Sequence, residues 1–273
     1  MKPNRTTAFA GSGLIGVFGG LIGLGGAEFR IPLLVGVFRL TPRHVVPLNL
    51  LTSLITVLAA LATRAAMGRI AALDGHVPEL LALALGALAG AAWGTRLFHR
   101  ISDRLLERVV GALLLALGLL LVAEAWLPVA TQLALPSSLA AKLTVGVLLG
   151  CAIGVASSLL GVAGGELIIP TLVFVFGVDI ATAGTASLAI ALPAMLLGIW
   201  QHHAKSAYRN NAPGRKLVPS LALGAIVGAA IGTSLIGVVS PAALKVLLGG
   251  LLVLSALKMF GLLAVTIPSR GKE

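Results

Sequence analysis

The chain has 273 residues, 58% of them hydrophobic and 11% charged, with a formal net charge of +11 and a single cysteine, Cys151. Soluble domains carry roughly 25% charged residues, whereas here apolar runs of membrane-spanning length follow one another along nearly the whole chain, which excludes a sizeable soluble domain. One cysteine excludes an internal disulfide or a multi-thiolate metal site, and a positive excess in such a chain reads as cytoplasmic loops rather than nucleic-acid binding.

The N-terminus, "MKPNRTTAFAGSGLIG", runs into apolar sequence without a clear cleavage site and reads as a retained first membrane element rather than a signal peptide. Gly11–Gly16 matches the dinucleotide fingerprint by letter, but it opens a membrane run instead of following a strand, so no cofactor is expected. The first element, about 8–38, contains "GLIGLGGAEFRIP" (Gly20–Pro32). Its glycines let the backbone leave helical geometry, and Pro32 removes a donor, so a broken helix is expected here. Three spans follow at about 45–63, 79–97 and 105–125, then a linker, 126–141, holding Pro128 and Pro136.

The second half repeats the first. Its broken element, about 146–176, contains "SLLGVAGGELIIP" (Ser158–Pro170), and three spans follow at about 182–200, 218–236 and 242–264. A shift of 138 positions carries Glu28 onto Glu166, Pro32 onto Pro170 and Thr95 onto Thr233 without a gap. Residues 1–125 and 142–273 are therefore expected to be two membrane repeats, with 126–141 as a non-cytoplasmic linker.

Charge sets their relative orientation. If the broken element crosses the bilayer once, Arg39, Arg43, Arg96, Arg100, Arg104 and Arg108 fall outside. If it enters and leaves on one side, those arginines join Lys2, Arg5, Lys205, Arg209, Arg215, Lys216 and Arg270, while Arg64, Arg69, Lys142 and Lys245 keep the opposite face. The positive-inside rule prefers the second arrangement. The expected fold is thus all-α and polytopic: two inverted-topology repeats, each a re-entrant glycine-rich helical hairpin followed by three transmembrane helices. Both termini are expected in the cytoplasm, with the protein multi-pass in a bacterial inner membrane.

Backbone opened at membrane depth is tolerated where it is buried in protein or lines a cavity. A half-helix starting just after "GLGGAE" or "GVAGGE" would aim unpaired N–H groups and a positive dipole end at an anion. The candidate substrate-binding residues are Gly23, Gly25, Gly26, Ala27, Glu28 and Asn49 in the first repeat and Gly161, Gly164, Gly165, Glu166, Thr185 and Ser187 in the second, with Pro32 and Pro170 as helix breaks. Glu28 and Glu166 have two readings. Desolvation favours a neutral carboxyl, which suits a proton carrier; each could instead cap its own broken backbone. Arg30, whose counterpart is Ile168, could pair with a glutamate, meet substrate or snorkel to the interface. Asn49, Thr52, Thr185 and Ser187 could line a path or bond across helices. The stripes Gly86, Gly90, Gly94 and Gly224, Gly228, Gly232 read as close helix packing. His202 and His203 are adjacent, so they face different ways on a helix and suggest a basic loop rather than a metal site.

The doubled motif, "GLGGAEFRIP" and "GVAGGELIIP", in a helical chain of this length resembles the TauE/SafE family of sulfite exporter-like permeases. Gly23, Gly25, Gly26 and Pro32 match one copy of the family pattern, and Gly161, Gly164, Gly165 and Pro170 match the other. Ala27 and Ala163 stand where that pattern has glycine. The resemblance implies a secondary transporter for a small anion such as sulfite, sulfoacetate or another organosulfonate, with no enzyme activity. A passive anion channel, or a membrane subunit of a partner-dependent system docking through 202–216, are the alternatives. The expected partners are the lipid bilayer and the anion; homo-oligomerisation is left open, and no metal is expected.

Overall fold

The computed structural model describes residues 4–38, 40, 42–97, 103–126, 138–160, 164–204 and 216–260. Among them the chain is helical. α1 spans Arg5–Phe18 and continues as a wider π turn, Gly19–Gly23. α2, Ala27–Pro32, runs into a second π turn, Leu33–Val37. α3 spans Pro42–Ala66, a 3₁₀ segment follows at Arg69–His76, and α4 (Val77–Leu97) and α5 (Asp103–Trp126) complete the first half. The second half holds α6 (Leu139–Leu160), α7 (Gly165–Phe174), α8 (Ile180–Ala204), α9 (Val218–Ser234) and α10 (Pro241–Met259). Among the described residues four helical stretches are long and apolar enough to cross a bilayer: Arg5–Gly23, Pro47–Ala66, Arg69–Trp93 and Leu139–Ser157. Most of the 126–141 linker lies outside the described residues.

Small residues decide which helices pair. α4 lies along α6 and α1 along α9 as the two most extensive helix contacts, followed by α5 on α10. A Cβ on Gly90 would sit 2.1 Å from the Cys151 carbonyl oxygen, and one on Gly228 would sit 2.0 Å from that of Gly13. Only a side chain of hydrogen lets these backbones meet, as expected for small-residue membrane interfaces. The 138-residue shift that relates the halves carries α1 into α6 and α9 into α4, so it exchanges one pair for the other.

Two features fix the course of the broken elements. Ala8 of α1, Leu34 after α2, Val45 of α3 and Leu217 and Leu221 at the start of α9 form one buried cluster, so the chain beyond α2 returns to the end where α1 begins. At the other end, Glu79 at the start of α4 pairs with Lys142 of α6 at 3.4 Å. The 177–181 turn after α7 shares a cavity there with Arg69, Ile236 and Lys245. Between these ends α3 crosses α8, with Val57, Ala60, Leu188, Ala191 and Met195 in their shared core.

Candidate functional site

At both breaks a left-handed glycine stands directly before the helix, and in the first break Gly23 and Gly25 have positive φ as well. Gly26 (φ 75°, ψ 17°) and Gly164 (φ 75°, ψ −1°) hold the left-handed conformation that L side chains disfavour. The helices therefore start at Ala27 and Gly165, ahead of the glutamates, so Glu28 and Glu166 occupy the second helical position instead of preceding the helix. Pro170 does not break α7. The chain stays helical to Phe174, and the proline's effect is local: it lacks the N–H that would bond the Glu166 carbonyl one turn back. Pro32 closes α2 at the matching place, opposite the Glu28 carbonyl.

The backbone opened at the first break is satisfied by side chains from two other helices, α3 and α9. Arg64 Nη2 donates to the carbonyls of Gly20 (2.8 Å) and Leu21 (3.3 Å), and Thr233 Oγ1 of α9 adds a second bond to Gly20 (3.2 Å). Asn49 Nδ2 of α3 donates to the Ala27 carbonyl at 3.0 Å. Buried backbone acceptors in an apolar medium need such partners, so Asn49 here holds the break in shape.

Two arginines sit at this break fully buried. Arg30 donates Nη1 to Ser53 Oγ at 2.8 Å and Nη2 to Thr56 Oγ1 at 3.0 Å. Its side chain is 0% exposed, which removes the snorkelling alternative. Arg64, in the last turn of α3, bridges the break to α8. Nη1 donates to the Ala181 carbonyl at 3.1 Å and to Thr185 Oγ1, while Nη2 holds Gly20 and Leu21. Sequence reading places Arg64 among the charges of a membrane face; the fold draws it inside, at 0% exposure. Asn49, Ser53, Thr56 and Arg64 recur at helical intervals along one side of α3, all buried, a polar stripe visible in the sequence although the distant partners that bury Arg64 are not.

The second break faces the first. Gly165 lies against Leu24 and against Ser187 Oγ, which would be 3.1 Å from a Cβ at that glycine. Ser187 Oγ is buried and has no hydrogen-bond partner among the described residues. Gly23 touches Gly184 backbone to backbone, so the tip of the first break rests on the first turns of α8. Glu166 is 7% exposed and its Oε1 accepts from Ser255 Oγ of α10 at 3.0 Å. The helix start at Gly164 has no side-chain cap.

Of the expected site residues, Gly23, Gly25, Gly26, Ala27, Asn49, Gly164, Gly165, Glu166, Thr185 and Ser187 thus gather on α3, α8 and the two breaks. Gly161 and the side chains of Glu28 and Pro32 lie outside the described residues, as do those of Gly94, His202 and His203. Asn49 Nδ2 and Thr185 Oγ1 are engaged by protein, whereas Asn49 Oδ1 and Ser187 Oγ are buried with no partner among the described residues. The arrangement offers two guanidinium groups, a helix N-terminus with an adjacent hydroxyl, and a carboxyl. Together these suit a small anion and a proton. A family model described as Sulfite exporter TauE/SafE matches residues 7–259. No curated protein and no solved structure matches the chain.

Proposed function

The chain belongs to the sulfite exporter TauE/SafE family, and from that premise we propose that it is a secondary transporter of a small anion. The substrate is sulfite, sulfoacetate or another organosulfonate, moved with proton coupling by alternating access. The observation that carries this reading is the meeting of the two breaks, Leu24 against Gly165, beside the unpartnered Ser187 hydroxyl. A helix N-terminus with an added hydroxyl donor suits an oxyanion, and Arg64, buried with only neutral partners among the described residues, adds positive charge to the first break.

Alternating access needs two halves that rock about a fixed site, and we take residues 1–125 and 142–273 to be inverted repeats. The exchange of α1–α9 for α4–α6 under the 138-residue shift supports this. So does the direction of the hairpins. The first returns to the end of the bundle where α1 begins, and the second to the end that carries Arg69 and Lys142. On this reading the first end is cytoplasmic, with both termini, in a bacterial inner membrane. Glu28 and Glu166 carry the proton.

Reconstitution in liposomes under a pH gradient tests the reading. Uptake of sulfite, sulfoacetate or a related sulfonate against its own gradient is expected, and no movement of any of them sinks it. Flux that equilibrates but never accumulates selects a channel, and a stoichiometric co-purifying partner selects a partner-dependent subunit.

A further inference from the structure

A cavity of about 500 Å³ opens beside the end of α3. Its wall includes Arg69, Glu124, Asp179, Ala181, Ile236 and Lys245. The charges on this wall balance in place. Lys245 pairs with Glu124 at 2.9 Å, Asp179 Oδ1 accepts from the amides of Ala181 and Thr182, and Arg69 Nη2 donates to the Ile236 carbonyl at 2.7 Å.

Arg64 does not line the cavity itself, but it is one hydrogen bond from it, since Nη1 donates to the carbonyl of Ala181, a lining residue. Its described partners are all neutral: three further oxygens from Gly20, Leu21 and Thr185, and no carboxylate. Its Nε is buried without any partner among the described residues. A guanidinium stays protonated, and an isolated buried charge is costly. The carbonyls at the end of α1 offset part of it, since a helix C-terminus supplies roughly half an elementary charge of opposite sign.

We infer that the base of this cavity is an anion-binding site, in which a small oxyanion entering past Arg69 pairs with Arg64 in place of its neutral acceptors on α8. The inference rests on the transport reading for its purpose, the access site on one membrane face, but it is tested by binding, so the two can fail separately. Release of Ala181 and Thr185 would remove the Arg64 tie between the first break and α8 and leave only the packing of Gly23 on Gly184, which couples arrival of the anion to the contact between the halves.

The test measures the thermal unfolding midpoint of purified protein against rising sulfite, sulfate and methanesulfonate, for wild type, Arg64→Gln and Arg64→Lys. Stabilisation of wild type by at least one anion is expected, weakened about tenfold or more in Kd by Arg64→Gln. Lysine keeps the charge but cannot bridge four acceptors, so Arg64→Lys should return to within roughly fivefold of wild type, whereas a purely structural role would leave it as damaged as the glutamine variant. No stabilisation of wild type, or equal binding by a folded Arg64→Gln, overturns the site. If both variants fail to fold, Ala181→Cys in a Cys151→Ala background reports instead. Saturating sulfate or methanesulfonate should slow its labelling by an anionic thiol reagent, and an unchanged rate overturns the site. Binding through Arg64 without flux removes the transporter and keeps the site. Flux whose KM is unmoved in Arg64→Gln removes the site and keeps the transporter.

Discussion

Arg30 Nη2 donates to Thr56 Oγ1 at 3.0 Å, tying the helix after the first break to the middle of α3. With the Ser53 bond this fixes the guanidinium in one orientation, deep in the bundle and close to Gly26. Bonds from a charged donor contribute about 1.5–3 kcal/mol each, and the isosteric Thr56→Val removes one of them. We expect Thr56→Val and Ser53→Ala each to lower the unfolding midpoint in detergent, with the double variant losing more than either. Arg30→Lys should cost less stability than Arg30→Met, because an ammonium still reaches one hydroxyl. Equal midpoints for Arg30→Lys and Arg30→Met would remove the charge from this account.

The contact between Gly23 and Gly184 gives a sharper steric prediction. A Cβ on Gly184 would stand 2.2 Å from the Ile22 carbonyl, backbone that cannot move aside without reopening the break. Gly184→Ala should therefore cost several kcal/mol, the range of severe overpacking. Gly250→Ala is the control, since nothing lies within 4 Å of a Cβ there. Helix propensity should make it neutral or up to about 1 kcal/mol stabilising. Yield of monodisperse protein and the unfolding midpoint separate the two.

The helices were legible because their signal is local. The apolar runs expected at 79–97, 105–125 and 182–200 stand as α4, α5 and α8 within a few residues at each end. The doubled break was legible too, since left-handed glycine at Gly26 and Gly164 is a property of the motif itself. Arg64 was not, because its burial depends on Gly20, 44 residues away, and Thr185, 121 away. Nor did the sequence separate a proline that ends a helix from one carried inside it. Pro47, Pro170 and Pro193 all lie within helices, where their effect is confined to one missing donor. The π turn at Gly19–Gly23 has no pattern of its own; it appears where glycines let α1 widen against Thr233 and Arg64.

Glu166 separates a proton carrier from a structural carboxyl. Its Oε1 accepts from Ser255 Oγ, a bond that the amide oxygen of Glu166→Gln can also accept. The variant should fold with a near-native midpoint and still exchange anion across the membrane, yet no longer respond to a pH gradient. Glu28→Gln makes the same comparison in the other repeat. Accumulation by both variants that still follows the pH gradient would remove proton transport from these two residues.

The proposed inverted arrangement predicts sidedness. Val238, 79% exposed in the 236–241 turn, adjoins the cavity formed with the 177–181 turn. The chain between the first broken element and α3, near Thr41, belongs by the charge rule to the arginine-rich face. In a Cys151→Ala background, Val238→Cys should react with an impermeant thiol reagent added outside intact cells, and Thr41→Cys only after permeabilisation. A parallel pair of repeats would put 39–44 and 178–181 on one side, since a shift of 138 carries one turn near the other. The cluster of Ala8, Leu34 and Leu217 argues against that outcome, because it returns the first hairpin to the end where α9 starts, whereas the cavity turns lie where α9 finishes. Labelling of both positions from one side would therefore break the inverted repeat and the alternating-access reading built on it.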